Sequence, residues 1–277
     1  MTSRLLDLLA IMERLRGADG CPWDRVQTFA SIAPYTIEES YEVADAIEHG
    51  DMANLKDELG DLLFQVVFHA RIAEEAGHFD FDAVAGAICD KLVRRHPHVF
   101  GGTEVPANGL EPAVTAAVQS AAWEEIKARE RAAATAAAPS ALDGVPLALP
   151  ALMRAFKLSR RAARVGFDFE RPDETADKVA EELAEVREAA AAANGADESD
   201  TAAHRRVFEE VGDLLFAAAN LARKLDVDAE AALRAANVKF ERRFHGMERL
   251  AVQRGEDFST LSLAAQEALW QEVKRAD

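Results

Sequence analysis

Apolar positions recur at helical spacing along most of the chain. Leu5, Leu6, Leu8, Leu9, Met12 and Leu15 form the first run, and Gly17-Ala18-Asp19-Gly20 stops it. Pro22 keeps Cys21-Pro22-Trp23-Asp24 out of a helix interior, so this stretch, continuing to Gln27 and Thr28, reads as a loop. A helix starts near Pro34 with Ile37, Tyr41, Ala44 and Ile47 as its apolar stripe, and His49-Gly50-Asp51 turns the chain. The next helix runs from about Asp51 to Glu75, with Leu55, Leu59, Leu62, Val66, Ala70 and Ala73 as one core face. Asp80-Phe81-Asp82 begins another, which reaches Lys91, Arg94 and Arg95 before Pro97. Residues 101–112 lack periodicity and read as a linker, whereas 113–138 read as a helix carrying Trp123 and Lys127.

The pattern then restarts. Residues 58–71 and 210–223 share eight identities in fourteen positions, at Glu, Gly, Asp, Leu, Leu, Phe, Ala and Arg, which composition alone does not produce. The chain therefore reads as two tandem modules, 1–138 and 139–277, with the boundary within 139–150. In the second, a helix over about 173–193 carries Glu181, Glu182 and Glu185. A polar, mobile loop over 194–201 follows, and a helix over about 202–225 carries Glu209, Glu210 and Asp213. Later helices hold Lys239, Arg242 and Arg243, then Trp270 and Lys274. No stretch sustains a strand pattern. Short connections favour antiparallel neighbours, so the expected fold is all-α, with two four-helix-bundle-type modules.

Acidic residues stand at the centre of each copy. Three residues on a helix make nearly one turn, so Glu182 and Glu185 share a face, as do Glu210 and Asp213. Antiparallel packing of the two helices brings four carboxylates into one pocket, where they stay ionised only beside cations. An oxygen-only set suits Mg²⁺ or Mn²⁺. Glu39, Glu42, Glu58 and Asp61 form the same set in the first half. In so acidic a chain one such motif alone reads as a solvated helix face. The doubling argues against that, and so do Gly60 and Gly212, each costing about 1 kcal/mol in a helix interior and suggesting close approach of a helix or ligand. A di-iron site needs Glu-x-x-His on two helices, and only Glu75-Ala76-Gly77-His78 is present.

Charge and cysteine content narrow the function. A net charge of −17 disfavours binding to nucleic-acid polymers. No apolar run is long enough to cross a bilayer, the start does not read as a secretory signal, and two distant cysteines make no disulfide framework. A cytoplasmic location is expected. Lys239, Arg242, Arg243 and Lys274 can neutralise phosphate oxygens, and Trp270 can stack on a nucleobase or serve as ordinary core.

Gly20-Cys21-Pro22-Trp23-Asp24, residues 32–39, residues 58–67, Arg94-Arg95-His96-Pro97-His98-Val99-Phe100 and Lys239-Phe240-Glu241-Arg242-Arg243-Phe244 together resemble the tandem-domain MazG proteins. These are nucleoside triphosphate pyrophosphohydrolases of the all-α NTP pyrophosphatase group, and the likeness spans nearly the whole chain. It implies Mg²⁺-dependent hydrolysis of an NTP or dNTP to the monophosphate and pyrophosphate, by a homodimer. It implies Glu182, Glu185, Glu210 and Asp213 as metal ligands, with Lys178, Glu181, Glu209, Lys239, Arg242, Arg243, Trp270 and Lys274 around the nucleotide. Water attacks the α-phosphorus in this scheme, and Glu181 is the candidate to orient or deprotonate it. The first half has Tyr35 where the second has Lys178. That difference makes the second module the principal catalytic candidate, while the first retains its acidic set. The competing function is a non-catalytic nucleotide-sensing or protein-interaction module.

Overall fold

The computed structural model describes residues 4–100, 123, 126, 140–194 and 201–276, and every regular element among them is helical. The chain divides into two compact units, Met1–Ala134 and Thr135–Asp277. The helix expected over 113–138, save Trp123 and Ile126, lies outside the described residues, as do the expected module boundary at 138/139 and positions 195–200 of the polar loop.

The first unit comprises α1 (Arg4–Arg16), α2 (Pro22–Val26), α3 (Phe29–His49), α4 (Met52–Glu75), α5 (Phe81–Arg95) and α6 (Pro97–Phe100). The stretch expected as a loop contains α2, because Pro22 sits at the first helical position, where its missing N–H costs nothing. Helix α3 starts at Phe29 rather than near Pro34. Thr28 and Ser31 cap it reciprocally, Ser31 N donating to Thr28 Oγ1 and Thr28 N to Ser31 Oγ. Pro34 lies inside, in the second turn. Gly50, at φ 68°, ends α3, and the Asp51 carboxylate accepts from Ala53 N and Asn54 N to start α4 in the reverse direction.

The core of this unit is Met12, Ile32, Val67, Phe68 and Ile72, flanked by Leu8, Leu9, Leu15, Phe64 and Phe81. The expected α3 stripe is displaced, with Ile37, Tyr41 and Ile47 exposed, whereas the expected α4 stripe holds in part: Ala70 and Ala73 are buried and Leu59 and Val66 are exposed. The residues that turn inward on α3 are instead Ile32, Glu39 and Ala46, seven apart, with Glu39 partly buried between two buried apolar residues. On α4 the inward stripe is Glu58, Asp61, Gln65, Phe68 and Ile72 at three- and four-residue steps. The acidic residues thus occupy the polar end of the seam between the helices, and the larger aliphatic stripe faces away.

The second unit repeats the plan with α7 (Ala151–Arg164), α8 (Pro172–Asn194), α9 (Thr201–Lys224), α10 (Ala229–Gln253), a 3₁₀ turn at Phe258–Thr260 and α11 (Leu263–Ala276). Helices α8 and α9 form the hairpin, α7 packs on α9, and α10 packs on α7 and α11. On α8 the buried residues Thr175, Glu182 and Ala189 again fall seven apart. Met247, Ala251 and Leu269 centre the α10–α11 contact. Gly246 lets these helices approach, since a Cβ there would lie 2.9 Å from Val273 Cγ1.

Candidate active site

Seven-residue spacing places Glu182 at the middle of the buried face of α8, and the hairpin sets Glu210 and Asp213 of α9 opposite it. Ligand oxygens of these three residues lie within 4.8 Å of one another. Glu182 is 7 % exposed, Glu210 half-buried and Asp213 exposed, so the cluster opens from the seam towards solvent. Glu185, one turn along α8, shares a hydrogen bond with Glu182. That bond, with burial and the charges of Glu182 and Glu210, pushes its carboxyl above the ordinary range. The predicted quartet is therefore brought together.

Lys178 answers part of this charge. Its Nζ lies 2.7 Å from Glu182 Oε1 and donates to Glu181 Oε1 at 2.9 Å, and those two carboxylates hold the ammonium well above the usual lysine range. Arg206 supplies a second cation that sequence reasoning missed, with Nε 3.5 Å from Glu210 Oε1 and Nη2 3.4 Å from Glu188 Oε1. Its four-residue spacing from Glu210 on one helix was the available signal. Glu209 lies exposed beside Glu210 on α9.

The remaining basic and aromatic candidates gather elsewhere in the unit. Lys239, Arg242 and Arg243 lie on α10, and Trp270 and Lys274 on α11. Trp270 is flanked by the Phe240 ring at 5.6 Å and the Arg243 guanidinium at 5.7 Å. Lys178 and Arg206 form ion pairs with Glu182 and Glu210 of the quartet.

The first unit holds the homologous cluster, with Glu39, Glu58 and Asp61 oxygens within 4.8 Å. Glu42 completes it: burial, a hydrogen bond from Glu42 and the charges of Asp61, Glu42 and Glu58 raise Glu39. Burial and the charges of Glu42 and Asp61 likewise raise Glu58, which Asn54 partly offsets by hydrogen bonding. Neutral amides hydrogen-bond this cluster. Gln65, buried and missed from the sequence, donates through Nε2 to Glu39 Oε1 at 3.4 Å, and Asn54 matches Arg206 in the repeat. At Gly60 and Gly212 a Cβ would meet nothing within 4 Å, so among the described residues no neighbouring helix explains either glycine.

An all-oxygen cluster on an α-hairpin, present twice in an all-α fold, suits a hard divalent cation. Residues 27–100 match the MazG nucleotide pyrophosphohydrolase domain, and residues 149–239 match phosphoribosyl-ATP pyrophosphohydrolase. The chain is 50 % identical to a nucleoside triphosphate pyrophosphohydrolase of Escherichia coli (strain K12) over 271 residues, 98 % of this chain and 97 % of that protein. It is 40 % identical to the nucleoside triphosphate pyrophosphohydrolase/pyrophosphatase MazG of Thermotoga maritima, over 98 % of this chain and 96 % of that one. A crystal structure of a MazG-related protein from Thermotoga maritima aligns with a TM-score of 0.35 at 27 % identity, covering 44 % of this chain and 98 % of that chain. The chain belongs to the MazG family of pyrophosphohydrolase enzymes.

Proposed function

We propose that the chain hydrolyses nucleoside and deoxynucleoside triphosphates to the monophosphate and pyrophosphate with Mg²⁺, and so clears or controls a nucleotide pool. The observation that carries this reading is the Glu182–Glu210–Asp213 cluster, whose oxygens lie within 4.8 Å beside the ammonium of Lys178. The donor set fits Mg²⁺ by its chemistry, hard carboxylate oxygen without imidazole or thiolate. Mn²⁺ is a chemically equivalent occupant.

Glu182, Glu185, Glu210 and Asp213 would hold the cation. When bound, it lowers the pKa of water and neutralises charge on the triphosphate. The seam fixes Glu182 on the buried side, so a triphosphate approaches from the open side, where Asp213 stands. Lys178 keeps Glu181 and Glu182 in register and is placed to pass its positive charge to a phosphate oxygen. Glu181, held by Lys178, orients or deprotonates the attacking water, and pyrophosphate leaves in line. Glu209, Lys239, Arg242, Arg243, Trp270 and Lys274 would complete the nucleotide surroundings, the cations meeting phosphate oxygens. The two side-chain cations at the second cluster, Lys178 and Arg206, support the second module as the principal catalytic one. The first cluster remains a metal-binding candidate through Glu39, Glu42, Glu58 and Asp61.

A homodimer is part of this reading. The exposed apolar residues Ile37, Tyr41, Ile47, Leu59, Leu63 and Val66 lie on the α3–α4 hairpin, which supports burial against a second copy. Among the described residues no helix is long and apolar enough to cross a membrane, and both cysteines are free. With a nucleotide substrate, these features support a cytoplasmic setting. Purified protein given Mg²⁺ and an NTP should yield pyrophosphate and monophosphate in equal amounts. Diphosphate with inorganic phosphate would refute this bond choice, and tight NTP binding without turnover would refute catalysis.

A further inference from the structure

A cavity of about 380 Å³ opens in the first unit between α1, α4 and the start of α5, apart from the carboxylate cluster. Its first residue on α4 is Val67, six positions beyond Asp61 and so about 9 Å farther along the axis. The floor is hydrocarbon: Met12 and Val67 are buried, and Leu9 and Phe81 stand partly buried beside them. The walls are acidic, with Glu13 from α1, Glu74 from α4, and Asp80 and Asp82 from the start of α5. Arg71 is the one cation among the described residues that line it, and its charge is already met. Its Nη1 lies 3.1 Å from Glu74 Oε2 and its Nε 3.0 Å from Glu75 Oε1. Asp80 is engaged as well, accepting from Ala83 N at 2.8 Å to cap α5. Glu13 and Asp82 are left. Among the described residues neither carboxylate accepts a hydrogen bond or forms an ion pair, and Glu13 reaches Arg71 only through its field.

We infer that this cavity binds an aliphatic polyamine, with ammonium groups at Glu13 and Asp82 and the methylene chain on the apolar floor. Carboxylates without a counter-ion at the mouth of a cavity favour a cation, and the floor favours one that carries hydrocarbon. The two uncompensated carboxylates come from different helices, so a ligand that answers both must carry charge at two points. A bare metal ion fits poorly, because the floor has no oxygen to complete a coordination shell. A nucleotide or any other anion is repelled by the walls. The volume falls within the range of about 300–1,000 Å³ usual for small-molecule pockets. Helices α1 and α5 each pack on α4, and the cavity is the gap between them. A ligand bridging Glu13 to Asp82 would therefore tie α1 to α5 and stabilise the first unit by mass action. The inference is independent of the proposed reaction.

Calorimetry on the full-length protein compares spermidine with hexaamminecobalt(III), in saturating Mg²⁺ so that the carboxylate quartets do not take up the polycation. Both ligands are trivalent cations, and only spermidine has a methylene chain. Spermidine should occupy one site and bind at least about tenfold more tightly, since each buried methylene is worth roughly fourfold in affinity. Glu13→Gln/Asp82→Asn should weaken spermidine at least about tenfold and bring the two cations within about threefold of each other. Glu248→Gln/Glu256→Gln, which removes the same charge from the second unit, should leave the spermidine Kd within about threefold of wild type. Thermal melts identify a variant that fails to fold; Glu13→Gln alone then decides, with an expected loss of at least about threefold. Equal affinity for the two cations overturns the inference, as does an unchanged Kd in a folded cavity variant. An equal loss in the second-unit pair overturns it too, since binding would then be diffuse attraction to an acidic chain.

Discussion

Phe68→Ala should unfold the first unit selectively. The ring is fully buried, packs edge-on to Phe64 at 5.6 Å and lies under the Arg16 guanidinium. Truncating a buried phenylalanine costs about 3–5 kcal/mol. The Phe64 and Arg16 contacts put this site near the top of that range, about 5 kcal/mol. A domain has only about 5–15 kcal/mol in total, and for a unit of this length such a loss lowers the melting temperature by about 15–20 °C. Differential scanning calorimetry should show the endotherm of the first unit moving by that amount, with the second unmoved. Pyrophosphate release assayed between the two transitions should persist, because Glu182, Glu185, Glu210, Asp213, Lys178 and Arg206 all belong to the second unit. A loss below about 2 kcal/mol, far under the expected range, would refute the packing argument. Loss of activity together with the first transition would refute the assignment of catalysis to the second module alone.

Glu182→Gln should lower kcat at least about a hundredfold, the scale of losing one preorganised electrostatic group, while Glu39→Gln should stay within about threefold, under 1 kcal/mol of barrier; steady-state pyrophosphate release measures both. Lys178→Gln should strengthen Mn²⁺ binding without nucleotide, followed by electron paramagnetic resonance, while slowing turnover, because an internal cation is removed from both the metal ligands and the phosphate path. Weaker Mn²⁺ binding would contradict that role. Glu75 should make stability depend on pH: its hydrogen bonds from Arg16, followed by those from Arg71 and both charges, hold its carboxyl below 4.5. The folded value being depressed, its contribution is complete above the unfolded value and lost as pH falls through the folded one. Denaturant titrations should therefore show Glu75→Gln destabilising by about 1–2 kcal/mol at pH 7, with the gap to wild type narrowing below pH 4.5; a constant gap would contradict the linkage.

The hairpins and their acidic residues were legible because repetition and helical spacing act locally. Glu182, Glu185, Glu210 and Asp213 had to share faces whatever the rest of the chain did. The inward stripe was harder to read. Leu59 and Val66 carry the stronger hydrophobic signal, yet α4 turns Glu58, Asp61 and Gln65 towards α3. Periodicity finds an apolar face and does not say whether the same chain covers it. Pro22 reads as a loop residue and Pro34 as the start of a helix; in the structure Pro22 opens α2 and Pro34 lies within α3, where the Thr28–Ser31 cap decides the start.

Helix α11 carries Trp270 and Lys274, and its Val273 packs on Gly246 of α10. With Val273 pressed onto the glycine, even a methyl group there would act as a spacer at a hinge. The last helix would swing outward, carrying its ring and ammonium with it, while the carboxylates kept their places. A position with no functional group of its own therefore gauges how far the basic wall stands from the acidic one. Substitutions at Gly246 should consequently look, in kinetics, like faults in nucleotide grip rather than faults in folding.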